Sequence, residues 1–235
     1  MLTYPKLLVR LNEIKSMGFV KTHRPGKTGI GKTLEDLLGI KENNVSGPDA
    51  SRLELKSGRK DVGSMLTLFT KAPRPRKANT VILERYGYSS AKRNHKKELH
   101  STVNALTYNR LKGDSGFKIR IGLNRIELTN EREDILGYWD SKTLQECFER
   151  KLPRLLYVKA DAKGVGLEEQ FWFNEAWLLR GFDFDSFVEL LRKGIILVDI
   201  RIGQYSNGKT HDHGTAFRVM PNKLELCFSR RKRIM

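Results

Sequence analysis

The chain has 235 residues, a mass of 27.1 kDa and 39% hydrophobic residues, enough for one substantial core that buries roughly 70–75% of the unfolded surface. Lys and Arg total 44 against 27 Asp and Glu, a net charge of +17 that reads as a footprint for a polyanion, above all nucleic acid. This composition excludes a disordered chain. No apolar run reaches about 18 residues for a membrane span, and the charges within MLTYPKLLVRLNEIK argue against a signal peptide. Cys147 and Cys227 match no paired metal spacing, which fits a reduced cytoplasmic protein without disulfides.

Leu7, Leu8, Leu11 and Ile14 predict a helix over Lys6 to Met17, stopped at Gly18. A basic loop follows from Arg24 to Lys32, then a short helix from Thr33 to Leu38 closed by Gly39. Arg52 to Lys56 alternates as a strand, and Ser64 to Lys71 is a second one, ended by Pro73 and Pro75 in a basic loop with Arg74, Arg76 and Lys77. Ser89 to Lys97, carrying Lys92, Arg93, Lys96 and Lys97, reads as an exposed loop. Phe117 to Ile121 and Arg125 to Leu128 form a hairpin around Leu123-Asn124. Asp140 to Leu152 is a helix capped by Asp140 or Ser141. Strands are predicted over Leu155 to Lys159 and Glu169 to Phe173, a helix over Asp185 to Lys193 ended by Gly194, and a buried strand over Ile195 to Ile202. SRRKRIM reads as a basic tail. Without repeats or a low-complexity linker, the order implies one mixed α/β (α+β) unit. Phe171, Trp172, Phe173 and Trp177 read as core.

Two motifs carry chemistry. Gly26 to Thr33, GKTGIGKT, fits the phosphate-loop pattern, and the run from Ile195 to Asp199 can pass for its magnesium-holding partner. Yet a phosphate loop must leave a buried strand, and the preceding FVKTHRP is polar and contains proline. The alternative is a basic loop near a helix N-terminus, suited to a DNA phosphate through Lys27 and Lys32. The sharper motif runs from Asp49 to Lys56. Strand alternation puts Glu54 and Lys56 on one face and Leu53 and Leu55 on the other, while a turn after Gly47-Pro48 can swing Asp49 toward Glu54. Asp49, Glu54 and the Leu55 carbonyl can hold a hard cation such as Mg2+, and Lys56 can orient water or stabilise charge. Glu35, at the edge of the stripe of Leu34, Leu37 and Leu38, can look into the same site, while Asp36 falls on the solvent side. Taken alone, the run is a weak signal, and an arbitrary sequence with it more often has an exposed strand face with a cross-strand ion pair.

TGIGKTLEDLLGIKENN, GPDASRLELKS, MLTLFTKAP, ANTVILERYGY and VDIRIGQYSNGKTHDHGTAFRV together resemble the MvaI/BcnI-type restriction endonucleases, in the MutH-like branch of the PD-(D/E)XK nuclease superfamily. The resemblance covers most of the chain and is weakest from about Lys112 to Gly181. It implies a restriction-endonuclease-like fold with a mixed sheet flanked by helices. It also implies a single domain over residues 1–235 in two lobes around a DNA cleft, with a catalytic lobe including about 1–75 and recognition elements about 195–220. It implies a Mg2+-dependent enzyme that cuts double-stranded DNA as a monomer at a CC-N-GG-like site, by sequential nicks. The catalytic set maps onto Glu35, Asp49, Glu54 and Lys56. Recognition maps onto Asp199, Arg201, His211, Asp212, His213 and Arg218, with Thr70 and Lys71 on the DNA backbone. Arginine can grip guanine O6 and N7, aspartate can accept from cytosine N4, and histidine can donate to guanine. His211 and His213 could instead bind zinc, although no third ligand is near in sequence, and Asp199 with Arg201 could be a plain ion pair. No obligatory protein partner and no membrane are implied, and a cognate DNA methyltransferase is only a functional companion. A MutH-like repair nickase would share fold and site but depend on a partner.

Overall fold

The computed structural model describes residues 3–40, 53–61, 63–91, 95–111, 114–152 and 154–235. The chain opens with α1 (Tyr4–Ser16), β1 (Val20–Lys21), α2 (Gly29–Leu37), β2 (Glu54–Arg59) and β3 (Leu66–Thr70). There follow α3 (Ala78–Tyr86), β4 (Tyr88–Ser90), β5 (Lys96–Val103), β6 (Arg110–Leu111), β7 (Asp114–Ser115), β8 (Phe117–Ile121), β9 (Arg125–Asn130) and β10 (Ile135–Asp140). The last part holds α4 (Ser141–Lys151), β11 (Arg154–Lys163), β12 (Gln170–Arg180), α5 (Phe184–Arg192), β13 (Ile196–Gln204), β14 (Thr210–Asp212), β15 (Ala216–Val219) and β16 (Arg230–Arg233). No helix of the described residues is long and apolar enough to cross a membrane.

Two compact units emerge, Met1–Leu66 with Arg150–Asp183 and Pro221–Met235, and Thr67–Glu149 with Phe184–Met220. The first unit's opening segment ends at Leu66, and β3 joins a sheet of the second unit beside β15. Cys147 and Cys227 are buried, one in each unit.

The first unit holds the sheet β1-β12-β11-β2, with β16 also paired to β12. β2 and β11 are parallel, and the other pairs are antiparallel. One face of this sheet presents Leu53, Leu55, Leu156, Val158, Phe171 and Phe173 to Leu7, Leu11 and Ile14 of α1 and Ile30 and Leu34 of α2. Pro5 starts α1 where a missing N–H costs nothing, and Gly18 at φ +68° ends it. α2 begins four residues before the predicted helix. There the Thr33 hydroxyl donates to the Gly29 carbonyl (2.8 Å) and accepts from the His23 N–H (3.0 Å). Glycine is required at 29, since a Cβ would lie 2.2 Å from the Arg24 carbonyl oxygen.

The second unit holds the sheet β3-β15-β13-β5-β4, with β14 on β13, and a separate β10-β9-β8 sheet. The β8–β9 hairpin forms as expected, with Leu123 fully exposed at its tip. The stretch read as a loop from Ser89 to Lys97 instead contributes β4 and the start of β5. β5 inserts Leu99, Ser101 and Val103 against β13, and only two of those three are apolar, which hides the strand in the sequence. The basic tail likewise corrects to β16, whose four cations are all exposed and whose place rests on backbone pairing with β12. Phe171 and Phe173 are core, whereas Trp172 and Trp177 are half-buried with indole N–H bonds to the Lys15 carbonyl and the Glu175 carboxylate.

Candidate active site and recognition cluster

β2 delivers Glu54 and Lys56 to the sheet face opposite the α1–α2 core, as strand alternation requires. Glu54 is 1% exposed. Its Oε1 accepts from the Lys56 ammonium at 2.6 Å, and the Lys151 ammonium lies 3.5 Å from the same oxygen. Oε2 is buried and accepts no hydrogen bond from the described residues. A carboxylate oxygen withdrawn from water without a partner is costly, and a cation beside it removes that cost. Lys151, the last residue of α4, was not expected from sequence, because a lysine ending a helix is ordinary and nothing local links it to Glu54.

Glu35 lines a cleft of about 300 Å³ together with Lys27, Leu34, Leu55, Lys56 and Ser57. Helical rotation separates it from Asp36, whose carboxylate accepts from Lys32 (2.6 Å) and pairs with His23 (2.9 Å). The Lys32 hydrogen bond, then that of His23, holds Asp36 below the ordinary carboxylate range. The structure thus brings Glu35, Leu55 and Lys56 to one cleft, and the Lys56 ammonium ties Glu54 to it. Asp49 lies outside the described residues.

The turn that opens α2 is held from β2. The Arg59 guanidinium grips Glu169 in a bidentate fashion (2.6 and 2.7 Å) and reaches the Gly26 carbonyl at 3.2 Å, while its plane lies over Phe171. This geometry overturns the nucleotide-binding alternative for GKTGIGKT. The strand before the turn is the two-residue edge strand β1, the Lys32 ammonium sits on Asp36, and Asp199 belongs to the other unit. Lys27 is exposed on the cleft rim.

In the second unit β13 and β15 bring Asp199, Arg201 and Arg218 together. Asp199 is 3% exposed. Its Oδ2 accepts from Arg201 Nε at 2.7 Å and lies 3.0 Å from Arg218 Nε, whose N–H is too misaligned to make a hydrogen bond. Its Oδ1 accepts from the Thr102 hydroxyl of β5 at 3.2 Å. Burial depresses the Arg218 pKa against the opposing pull of Asp199, and the neighbouring Arg201 adds to the depression. Arg201 keeps 37% of its side chain exposed and Arg218 16%. The carboxylate meets both guanidiniums at Nε.

The Asp212 carboxylate is committed to the loop itself. Oδ1 accepts from the Gly214 and Thr215 N–H groups (2.8 and 2.6 Å), and Oδ2 accepts from the Asn79 amide (3.0 Å). His211 meets the Tyr205 hydroxyl at 2.5 Å and packs edge-on against His213, with ring centroids 4.3 Å apart. Among the described residues no group of three or more His, Cys, Asp or Glu that could hold a metal ion is present. Thr70 is exposed at the end of β3, beside Gly214, and the Lys71 N–H donates to the Thr215 carbonyl at 2.9 Å. Thr102 and Asn79 complete the cluster and were not expected. Each is a polar residue whose partner lies 97 or 133 positions away, with no local signal.

Mixed sheets with these flanking helices are the fold of a restriction endonuclease. The chain belongs to the MvaI/BcnI restriction endonuclease family, whose family model matches residues 8–228, and it is a site-specific endonuclease. It is similar to the solved complex of restriction endonuclease MvaI with its cognate DNA substrate, at 35% identity over 97% of either chain and a TM-score of 0.85. It is also similar to restriction endonuclease MvaI in the absence of DNA, at 34% identity over 100% of this chain and 99% of that one, with a TM-score of 0.59. No curated protein sequence matches the chain.

Proposed function

We propose that the chain is a type II restriction endonuclease that hydrolyses phosphodiester bonds of duplex DNA with Mg2+ at a short near-palindromic CC-N-GG-like site. It acts as a monomer that nicks the two strands in turn. The observation that carries this reading is the buried Glu54 carboxylate, one oxygen on Lys56 and the other without a hydrogen bond. Oxygen donors with an unmet demand for positive charge fit a hard divalent cation, which Glu54, Asp49 and the Leu55 carbonyl would hold. When bound, such an ion lowers the pKa of water and polarises a phosphoryl oxygen. Lys56 fixes the Glu54 carboxylate and offers a positive charge to the developing anion. Glu35 adds a carboxylate at the wall of the same cleft.

Specificity rests on the second cluster in this reading. Arg201 and Arg218 carry planar donor forks suited to guanine O6 and N7, and His211 and His213 offer further donors. Asp199, engaged by both arginines, orients them and does not accept from cytosine itself. Asp212 shapes the loop that carries the histidines. Lys27, Lys32, Thr70 and Lys71 contact phosphates without reading sequence. A cytoplasmic enzyme of this kind needs a companion methyltransferase of the same specificity to protect its own genome. The purified protein is tested alone on sequenced plasmid DNA with and without Mg2+, with run-off sequencing of the ends. Nicked circles followed by linear DNA with ends at one CC-N-GG-like sequence are expected. Nicked circles alone would favour a partner-dependent nickase, and a metal-independent cut would overturn the assignment of Glu54.

A further inference from the structure

The turn between β13 and β14 bears on a choice that the recognition cluster leaves open: which nitrogen of His211 carries the hydrogen. Asp199, Arg201 and Gly203 alternate on one face of β13, and Tyr205 follows in the same alternation just past the strand. His211 of β14 pairs with Gly203, and the Tyr205 N–H donates to the Lys209 carbonyl at 2.9 Å to close the turn. Gly203 has no side chain, so the Tyr205 ring reaches diagonally past it to His211. The two ring centroids lie 4.4 Å apart, and the phenol oxygen meets His211 Nδ1 at 2.5 Å. His211 also meets the His213 ring edge-on, and the His213 N–H donates to the Arg201 carbonyl at 2.8 Å. The histidine pair is therefore tied to the strand that carries Arg201. Nδ1 of His211 is engaged, whereas Nε2 has no hydrogen bond among the described residues. Tyr205 is 50% exposed, so core packing does not account for it.

We propose that Tyr205 is a positioning residue that locks His211 in the neutral tautomer with its hydrogen on Nε2, which makes Nε2 a dedicated donor to a guanine edge. A neutral imidazole has one N–H and one bare nitrogen, and the partner of one nitrogen decides the role of the other. A phenol O–H is a far stronger acid than the N–H of a neutral imidazole. The hydrogen bond between Tyr205 and His211 therefore runs from the hydroxyl to a bare Nδ1. With Nδ1 accepting, Nε2 carries the hydrogen. In the major groove guanine presents two acceptors, adenine presents one beside an amine, and cytosine presents only an amine. A fixed donor therefore favours guanine, whereas an imidazole free to change tautomer could accept from cytosine or adenine as well. Tyr205 sets the sign of the contact without touching the base.

The inference rests on the second cluster's being the recognition site, so the tautomer is measured first, in protein without DNA. Long-range proton–nitrogen NMR spectra of histidine-labelled protein, with the imidazoles neutral, report which ring nitrogen is protonated. The signal lost in His211→Ala assigns the residue. Wild type should show Nε2–H alone at His211. Tyr205→Phe keeps the ring and loses the hydroxyl, and it should show both tautomers. Binding without divalent metal then compares cognate with single-substituted duplexes. His211→Ala should lose discrimination at one G·C pair. Tyr205→Phe should lose about 2- to 12-fold at the same pair, in line with the net contribution of one hydrogen bond. In a double-mutant cycle, Tyr205→Phe should add nothing once His211 is alanine. An Nδ1–H tautomer in wild type would reverse donor and acceptor and overturn the proposal. A loss from Tyr205→Phe that persists in the His211→Ala background would also overturn it, because the tyrosine would then touch DNA itself. A wild type with the expected tautomer that discriminates at no base pair would instead overturn the recognition reading.

Discussion

Glu54 in the first unit and Asp199 in the second each lie buried between two cations, and the two arrangements are opposite in what they leave open. Glu54 is held by Lys56 and approached by Lys151 at a single oxygen, while its second oxygen has no hydrogen bond from the described residues. Asp199 has both oxygens engaged, by Thr102 and by Arg201, with Arg218 beside it. In the first cluster the anion is the unsatisfied partner. In the second the cations are, since the contacts to Asp199 run through Nε and the other guanidinium nitrogens have no acceptor among the described residues. A site with spare negative charge attracts a metal ion, and a site with spare donors attracts base edges or phosphates. Under the proposed function, the same pairing of residue types would serve hydrolysis in one unit and recognition in the other, according to which member keeps unmet bonding capacity.

The largest effect should come from the first cluster. Asp49→Ala, Lys56→Ala or Glu54→Gln should each lower single-turnover cleavage by about 10³-fold or more, while cognate DNA binding stays near wild type. Gel shifts beside cleavage time courses check both halves. Cleavage near the wild-type rate in Lys56→Ala would dissolve the contrast between the clusters, since Glu54–Lys56 would then be an ordinary ion pair.

Next comes the buried anion of the second cluster. Asp199→Ala leaves two guanidiniums, one of them largely buried, without their counter-charge. Removing one partner of a buried pair costs about 3–5 kcal/mol. Arg201 is 37% exposed, so water recovers part of that and the lower end is expected. Urea unfolding measures it. Cognate preference should fall together with stability, because the forks lose their orientation.

How much of this contrast the sequence displays depends on the range of each interaction. Glu54 and Lys56 are legible because a strand repeats every two residues, and Leu53 and Leu55 announce which face is buried. Glu35 separates from Asp36 by the 3.6-residue repeat of α2. Asp199 and Arg201 share a face for the same reason as Glu54 and Lys56. The supports are not legible: Lys151 for Glu54, Thr102 for Asp199, Asn79 for Asp212, and Glu169 for Arg59 each depend on strands or helices far apart in the chain. The missed elements share another cause. α3 buries only Ala78, Ile82 and Leu83 and carries a run of β-branched residues that a helix tolerates poorly. β16 buries nothing, so no hydrophobic period exists to be read.

Arg201→Ala and Arg218→Ala sharpen the contrast from the donor side. At least one of them should cost about 1–3 kcal/mol of discrimination at a single base pair, and the salt slope should change by no more than about one contact. Competition between cognate and single-substituted duplexes measures it. An equal loss of affinity on cognate and random DNA, in both variants, would turn these arginines into phosphate clamps and move recognition elsewhere in the chain.

The smallest effect belongs to Lys32, the lysine of the GKTGIGKT turn. Its ammonium lies 2.6 Å from Asp36, an i,i+4 pair on α2 with about a quarter of the lysine side chain exposed. Such a pair contributes about 0.3–0.5 kcal/mol and is weakened by salt. Because the charge is already shared with Asp36, Lys32→Ala should weaken DNA binding only slightly, and by the same factor for every sequence. The pH dependence separates its two roles. Asp36 titrates below its ordinary value of 3.8, chiefly through the Lys32 hydrogen bond and then that of His23. A carboxyl depressed in the folded state adds stability above the unfolded pKa, and that contribution is lost as pH falls through the folded one. Lys32→Ala should therefore be slightly less stable at pH 7, with a deficit that shrinks in acid as pH falls below 3.8. Unfolding midpoints at neutral pH and in acid check this. A deficit that persisted undiminished in acid would mean that Lys32 stabilises α2 through packing and not through Asp36. A large loss of DNA binding at neutral pH would mean that the lysine leaves Asp36 for a phosphate when DNA is bound.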